Sequence, residues 1–180
     1  HNHLLFETQK RTKNDTSCNS GQHSENSQRR KSYKVSNTQR NKRESKPLEK
    51  TEVLVFRGKE GIKTIMNDII KEGKPYTCFG EIEKYFQEMD IFTRKWIKEV
   101  ETKKIKGRLI SSKKQKFEIA KTEEAKNLPD EIIPEITTVT YDDKTALFIW
   151  SKPLYVILVE NKNVTESNLK TFNYLWQTAK

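Results

Sequence analysis

The sequence has few of the residues that build disulfide frameworks, zinc sites or membrane spans. Its two cysteines, Cys18 and Cys78, lie sixty positions apart, which forms neither a disulfide framework nor a zinc pattern. The longest apolar runs are four to six residues, far below the roughly 20 that cross a bilayer. The N-terminus offers no apolar core for a signal peptide. We therefore expect a cytoplasmic protein with no membrane association, no metal and no cofactor.

Histidine is absent from most of the chain. The histidines are His1, His3 and His23, all near the N-terminus. The letters "HNH" at the start match the name of a nuclease class, but no metal-binding hairpin and helix follow them. From residue 24 onward the sequence therefore supplies no imidazole to serve as a nucleophile or to activate one.

Charge and apolar residues are distributed unevenly. Residues 1–50 hold 12 Lys+Arg, 5 Asp+Glu and only seven apolar residues. Residues 51–180 are more balanced, with 23 basic and 20 acidic residues. The N-terminal segment therefore buries too little apolar surface to offset the entropy lost on ordering. We predict a disordered basic tail over 1–45 without a recognisable helix-turn-helix, and a folded domain over 46–180. If the tail binds nucleic acid, its deletion abolishes a salt-sensitive interaction.

The folded part alternates between strand and helix patterns. Apolar residues at three and four spacing predict helices over 59–71 and 85–103, and a last helix from Asn163 with Glu166 in a capping box. Short β-rich runs predict strands at "EVLVF", "YTCFG", "GRLIS", "EITTVTY", "ALFIW" and "YVILVE". We expect the "EITTVTY" strand to have one solvent-exposed face. The order predicts an α/β fold, a mixed sheet with packed helices.

Several residues suggest chemistry but have simpler interpretations. Cys78 lies in an apolar strand without a histidine to activate it, so we interpret it as a buried structural thiol. Asp142 and Asp143 are adjacent, point to opposite faces of a strand and suit a tight turn rather than an acid–base pair. The "RGKEG" segment is too short for a phosphate loop, and we interpret it as a structural turn.

The segment from 141 to 164 resembles the stretch that follows the catalytic residues of phospholipase D-type phosphodiesterases. Their signature has a nucleophilic His, a phosphate-binding Lys two residues later and an Asp seven residues after the His. Counting back from Asp142 places Glu135 and Thr137 at the first two positions, and counting from Asp143 places isoleucine and threonine there. Neither alignment supplies the nucleophile, so we expect the scaffold without the enzyme.

A second resemblance covers about residues 46–180. The ordered segments "EVLVFRGKEGIKTIMNDIIKEG", "IFTRKWIKEVETKKIKGRLI", "LPDEIIP" and "YDDKTALFIWSKPLYVILVENKNVTESNLKTFNYLWQTAK" resemble the C-terminal domain of TrmB-type regulators, a mainly archaeal family. The resemblance implies a phospholipase D-like sensor domain without catalytic residues. The winged helix-turn-helix of that family is missing here, either because this chain lacks it or because the first residues come from a shifted frame.

The resemblance implies an effector-sensing and dimerisation domain of a transcriptional regulator, with DNA contacted indirectly through the missing helix-turn-helix. It transfers no sugar ligand, and the effector is an unspecified small molecule. The alternatives are a degenerate phosphodiesterase and a nucleic-acid-binding protein acting through its basic tail. Ligands of open α/β sheets bind where strand ends meet helix N-termini. The candidate ligand-binding residues by position are Arg57, Lys59, Gly80, Glu81 and Tyr141.

Overall fold

A seven-stranded mixed sheet carries helices on both faces in the computed structural model, which describes residues 51–180. The predicted tail and its boundary at residue 46 lie outside the described residues. The strands are β1 (Glu52–Arg57), β2 (Tyr76–Gly80), β3 (Gly107–Ser112), β4 (Glu123–Leu128), β5 (Thr137–Tyr141), β6 (Lys144–Ile149) and β7 (Tyr155–Glu160). The helices are α1 (Gly58–Glu72), α2 (Glu83–Thr102) and α3 (Lys162–Thr178), with a 3-10 turn at Asp130–Ile132. The predicted fold class is confirmed.

Strand direction defines two ends of the sheet. The order is β1-β7-β6-β5-β2-β3-β4, with β2, β3 and β4 parallel and the other pairs antiparallel. As a result β1, β2, β3, β4 and β6 all run one way. We call the end where these five strands terminate the carboxyl end, and the opposite end the amino end.

The main core lies between the sheet and the α1–α2 layer. Helix α1 buries one apolar stripe and ends at Gly73, whose left-handed backbone (φ 63°) donates its N–H to the Ile69 carbonyl. The observed helix extends one residue beyond each end of the predicted range of 59–71. The buried residues of the stripe are Ile62, Ile65, Met66, Ile69 and Ile70.

Helix α2 bends at Met89, where φ and ψ are −149° and 48°. Two side chains satisfy carbonyls that the bend leaves without helical partners: Thr93 Oγ1 donates to the Tyr85 carbonyl at 3.0 Å, and Lys59 Nζ donates to the Glu88 carbonyl at 2.6 Å. The kink is therefore fixed by specific bonds, one of which reaches across from α1.

The other sheet face is covered by α3, which packs on β2, β5, β6 and β7. Phe172 is the apolar anchor of this layer and packs with Ile110 of β3. The expectation of a wet face on β5 is wrong. Because β5 is the central strand and α3 lies over it, Thr140 is buried and Thr138 is half-buried.

The last helix starts differently from the prediction. Its N-cap is Asn161, whose side-chain oxygen accepts the Val164 N–H at 3.1 Å, so the predicted capping box from Asn163 to Glu166 is wrong. The predicted hairpin turn is confirmed, since Asp142 and Asp143 alone connect β5 to β6 and Asp142 adopts a left-handed conformation (φ 47°).

Strand β4 lies in a stretch that the sequence pattern left as polar and irregular. Its residues read EEAKNL, and it is held by parallel pairing with β3 along its whole length. Lys180 and Asn127 also exchange two backbone hydrogen bonds on its outer side. Among the helices of residues 51–180, none combines the length and apolar character needed to cross a membrane.

Candidate functional site

Counted back from Asp142, the first two positions of the phospholipase D signature lie at the carboxyl end of the sheet. Glu135 and Thr137 stand at the start of β5, beside a surface cleft of about 510 Å³. Glu81 and Lys84 contribute the other charges of the cleft. The lining is completed by Ile136, Ile149, Trp150 and Ser151.

Thr137 is a structural residue at this end, although it occupies the position of the phosphate-binding lysine. It is fully buried. Its hydroxyl donates to the Glu81 carbonyl at 2.8 Å and accepts the Trp150 Nε1–H at 2.9 Å. A hydroxyl committed to two partners below the surface cannot also donate to a ligand in the cleft, because it has only one hydrogen.

Gly80 sets how closely β2 approaches the beginning of β5. Its φ of 128° lies in a region that other residues rarely adopt. A Cβ at this position would overlap the carbonyl oxygen of Ile136. Gly80 is thus required for close backbone packing, and the prediction that it binds a ligand has a competing structural explanation.

The side chain of Gln115, which sequence analysis did not single out, caps the N-terminus of α2. Its Oε1 accepts the backbone N–H groups of Ile82 and Glu83 at 2.8 and 3.2 Å. Its Nε2 donates to the Gly80 carbonyl and to Glu81 Oε1 at 3.2 and 3.3 Å. These bonds use N–H groups that would otherwise attract an anion. No sequence signal identifies this residue, because it lies in an irregular segment more than thirty residues away.

Groups at the start of α1 are also hydrogen-bonded within the protein. The Gly58 N–H donates to the Leu154 carbonyl at 2.8 Å, and Gly58 has a φ of 78°. Arg57 is exposed at the N-cap position without a side-chain cap. Lys59 lies 3.5 Å from the Glu88 carboxylate as well as bonding its carbonyl. The interpretation of "RGKEG" as a structural turn is corrected by the structure, because Arg57 is the N-cap and residues 58–61 form the first turn of α1.

Tyr141 is separated from the other four candidate residues. Arg57, Lys59, Gly80 and Glu81 lie at the carboxyl end, whereas Tyr141 ends β5 at the amino end, where it pairs with Tyr76. The reason is strand direction, because β5 runs antiparallel to β2.

At the amino end Tyr141 belongs to a cluster of charged residues. Its hydroxyl donates to Asp68 Oδ2 at 3.0 Å, and Lys144 Nζ lies 2.7 Å from both Asp68 and Glu72. Burial, followed by the nearby Asp68 carboxylate, raises the pKa of Tyr141 above its ordinary value. Burial lowers the pKa of Lys144, but the hydrogen bonds to Asp68 and Glu72 outweigh it and the net pKa is raised. Tyr141 thus remains a neutral donor beside a charged lysine.

A small, partly open cavity of about 50 Å³ lies beneath the kinked α2. Cys78 lines it and is buried, as predicted, and burial raises the pKa of its thiol. Glu123 also lines it and accepts hydrogen bonds from the Tyr76 hydroxyl and the Ala120 N–H. Burial raises the pKa of Glu123, while these two bonds oppose the shift. Because burial raises the pKa of Cys78, its thiol is protonated and unreactive at neutral pH.

Comparison with known proteins supports the fold rather than an activity. No protein-family model matches the chain, and no curated protein matches it. Similar solved structures include TrmBL2, an archaeal chromatin protein with a novel mode of DNA binding, at a TM-score of 0.51 and 11% identity. That match covers 71% of this chain and 54% of the other, so the chain spans about half the length of TrmBL2.

Two further solved structures are similar to this chain. NucT from Helicobacter pylori has a TM-score of 0.50 and 11% identity, and the match covers 72% of this chain and 98% of NucT. Nuc from Salmonella typhimurium, a phospholipase D family member, has a TM-score of 0.47 and 9% identity, and the match covers 73% of this chain and 97% of Nuc. The chain has a phospholipase D-like fold. At these identities the likeness shows the fold alone.

Proposed function

We propose that this chain is a non-enzymatic regulatory domain that senses a small effector and self-associates, as part of a TrmB-like transcriptional regulator. The proposal rests on the burial and hydrogen bonding of Thr137. At the position where a phosphodiesterase needs a lysine at the surface, this chain has a buried hydroxyl bonded to Glu81 and Trp150. A side chain in that position supports the sheet and adds no charge to the cleft.

The structural likeness to TrmBL2 supports the regulatory part of this proposal. TrmBL2 is a chromatin protein that binds DNA. For the present chain we propose that DNA is reached through a helix-turn-helix domain outside the folded part. Residues 1–50, which include the predicted tail, hold 12 basic and 5 acidic residues and offer a second, sequence-independent attraction to phosphates.

Self-association is supported by the outer edge of β1. Within residues 51–180, no strand pairs with that edge. Val55 on this strand is 39% exposed, while Glu52 and Arg57 stand at its two ends. An antiparallel pairing with β1 of a second copy would continue the sheet, place Val55 close to the two-fold axis and bring Glu52 near the other copy's Arg57.

Replacing Val55 by lysine is expected to convert a dimer into a monomer, because a lysine on an edge strand opposes strand addition and the substitution removes the apolar contact that Val55 makes across the new pairing. Sedimentation velocity of the full chain measures the result. Ile91→Lys is the matched control, since Ile91 is 74% exposed on α2, away from β1. A wild-type chain that is monomeric at all concentrations, or a Val55→Lys variant that stays dimeric, would contradict this assembly.

The competing function is a degenerate phosphodiesterase acting on nucleic acid. It is favoured by the position of the cleft, which lies where the signature residues would stand and contains the carboxylates of Glu81 and Glu135. A carboxylate nucleophile would have to replace the histidine, and Lys84 is the cationic side chain in the lining of the cleft. This mechanism predicts hydrolysis that depends on Glu135, which separates it from the regulatory function.

A further inference from the structure

A second cleft lies at the amino end of the sheet, opposite the end where the signature positions stand. It has a volume of about 480 Å³, within the range of small-molecule sites. The segments that lead into β2 and β3 form its walls, and Leu169 of α3 closes one side. Three cationic side chains border it: Lys74, Lys106 and Arg108.

The positive charge of this cleft is only partly neutralised. Lys74 pairs with Asp142 at 3.2 Å. Arg108 donates to the Asn173 side chain at 2.9 Å, and among the described residues no carboxylate forms an ion pair with Arg108 or Lys106. Two of the three cations are therefore available to an anion.

Arg108 is also held in place before any ligand arrives. Its guanidinium lies 5.2 Å from the Phe172 ring centre and 5.6 Å from that of Trp176. These contacts, with the bond to Asn173, fix the planar group against α3. A fixed guanidinium loses little freedom on binding and suits the two-oxygen contact that arginine makes with phosphate.

Hydroxyl groups complete the lining. Thr77 and Thr140 are buried threonines beneath the cleft. The Thr122 hydroxyl, also in the lining, is buried without a hydrogen-bond partner. A buried hydroxyl that lacks a partner costs free energy, which a ligand oxygen at hydrogen-bond distance would recover.

The acidic residues of the cleft restrict which anion fits. Glu124 and Asp142 stand beside the three cations. They would repel a long polyanion such as DNA laid across the rim, but they would accept hydrogen bonds from donor groups of a compact ligand. The arrangement favours a single phosphate group on a small polar molecule.

We propose that this amino-end cleft binds a small molecule through its phosphate group, with Arg108 and Lys106 contacting the phosphate and Lys74 beside them. The inference rests on the regulatory function proposed above, for which it identifies the effector site and the effector's chemical class. The site shares no residue with the carboxyl-end cleft.

Isothermal titration of the full chain with glycerol 3-phosphate, which carries a single phosphate group on a small polar molecule, tests this site. The variant Lys74→Ala/Lys106→Ala removes two exposed cations of the cleft, and the expected result is binding weakened by about tenfold or more. The matched control is Lys95→Ala/Lys98→Ala, which removes two exposed lysines from α2 on the other sheet face and is expected to bind as the wild type does. Arg108→Lys is expected to weaken binding while keeping the charge.

Three results would overturn the proposal. One is the absence of glycerol 3-phosphate binding by the wild-type chain. Another is equal weakening in the cleft and α2 variants, which would indicate attraction to net charge alone. The third is equal affinity for malonate, which would replace phosphate by carboxylate as the ligand group. None of these results bears on hydrolysis of phosphodiesters, so this inference and the proposed function fail separately.

Discussion

Replacing Gly80 by alanine is expected to destabilise the protein by about 4 kcal/mol or more, the largest effect among the substitutions considered. The new methyl group would overlap the Ile136 carbonyl oxygen, and the φ of 128° is strained for any residue with a side chain. Relief would require β2 and β5 to separate at the carboxyl end. Urea denaturation followed by tryptophan fluorescence measures the loss.

Gly73→Ala is the matched control for this change. Gly73 also has a positive φ, 63°, but a Cβ there meets nothing within 4 Å. Its cost is therefore conformational only, about 1–2 kcal/mol. If Gly80→Ala were no more destabilising than Gly73→Ala, the close approach of β2 to β5 would be incorrect.

Replacing Phe148 by alanine is expected to cost about 3–5 kcal/mol. Phe148 is fully buried. Its ring centre lies 5.2 Å from that of Tyr85 in an edge contact and 6.0 Å from that of Trp150 in a stacked one. Removing it leaves a cavity beneath the carboxyl-end cleft and loosens Trp150, whose indole donates to Thr137.

The free energy of unfolding and the fluorescence maximum of the Phe148→Ala variant measure both consequences. Phe148→Leu is expected to cost less, about 1.5 kcal/mol, because it keeps most of the volume. Tyr174→Ala, at a residue that is 69% exposed on α3, is expected to stay within about 0.5 kcal/mol of the wild type. A Phe148→Ala variant as stable as Tyr174→Ala would contradict the described core.

The sequence predicted the elements whose apolar periodicity is strong. Helix α1 has a buried stripe with the 3.6-residue period of a helix, and β6 and β7 contain continuous apolar runs typical of buried strands. Strand β4 could not be found this way, because its EEAKNL sequence has weak β propensity. It is a strand because β3 pairs with it and Lys126 packs over the Trp176 ring, a tertiary contact with no local signal.

The start of α3 was misplaced for a related reason. Asn161 and Asn163 are both good N-cap residues in sequence. The choice depends on where β7 ends, and Asn161 also donates its side-chain amide to Thr51, just before β1. That contact spans 110 residues, so a local pattern does not distinguish the two asparagines.

The candidate site was predictable in location but not in detail. Strand–helix alternation correctly brought Arg57, Gly80 and Glu81 to one end of the sheet. The pairing of β5 with β2 was needed to show that Tyr141 lies at the other end. The role of Thr137 is invisible in sequence, because its partners, Trp150 and the Glu81 carbonyl, meet it only in the folded sheet.

The measurement that tests the central claim most directly is hydrolysis of phosphodiesters by the purified full-length chain. Bis(p-nitrophenyl) phosphate and single-stranded DNA serve as substrates, with a nuclease of the same fold that has the His and Lys signature as positive control. We predict no hydrolysis above the rate in buffer, since Glu135 and Thr137 replace the nucleophile and the phosphate-binding lysine. Hydrolysis by the wild-type chain that Glu135→Ala abolishes would contradict the account and establish the carboxyl-end cleft as an active site.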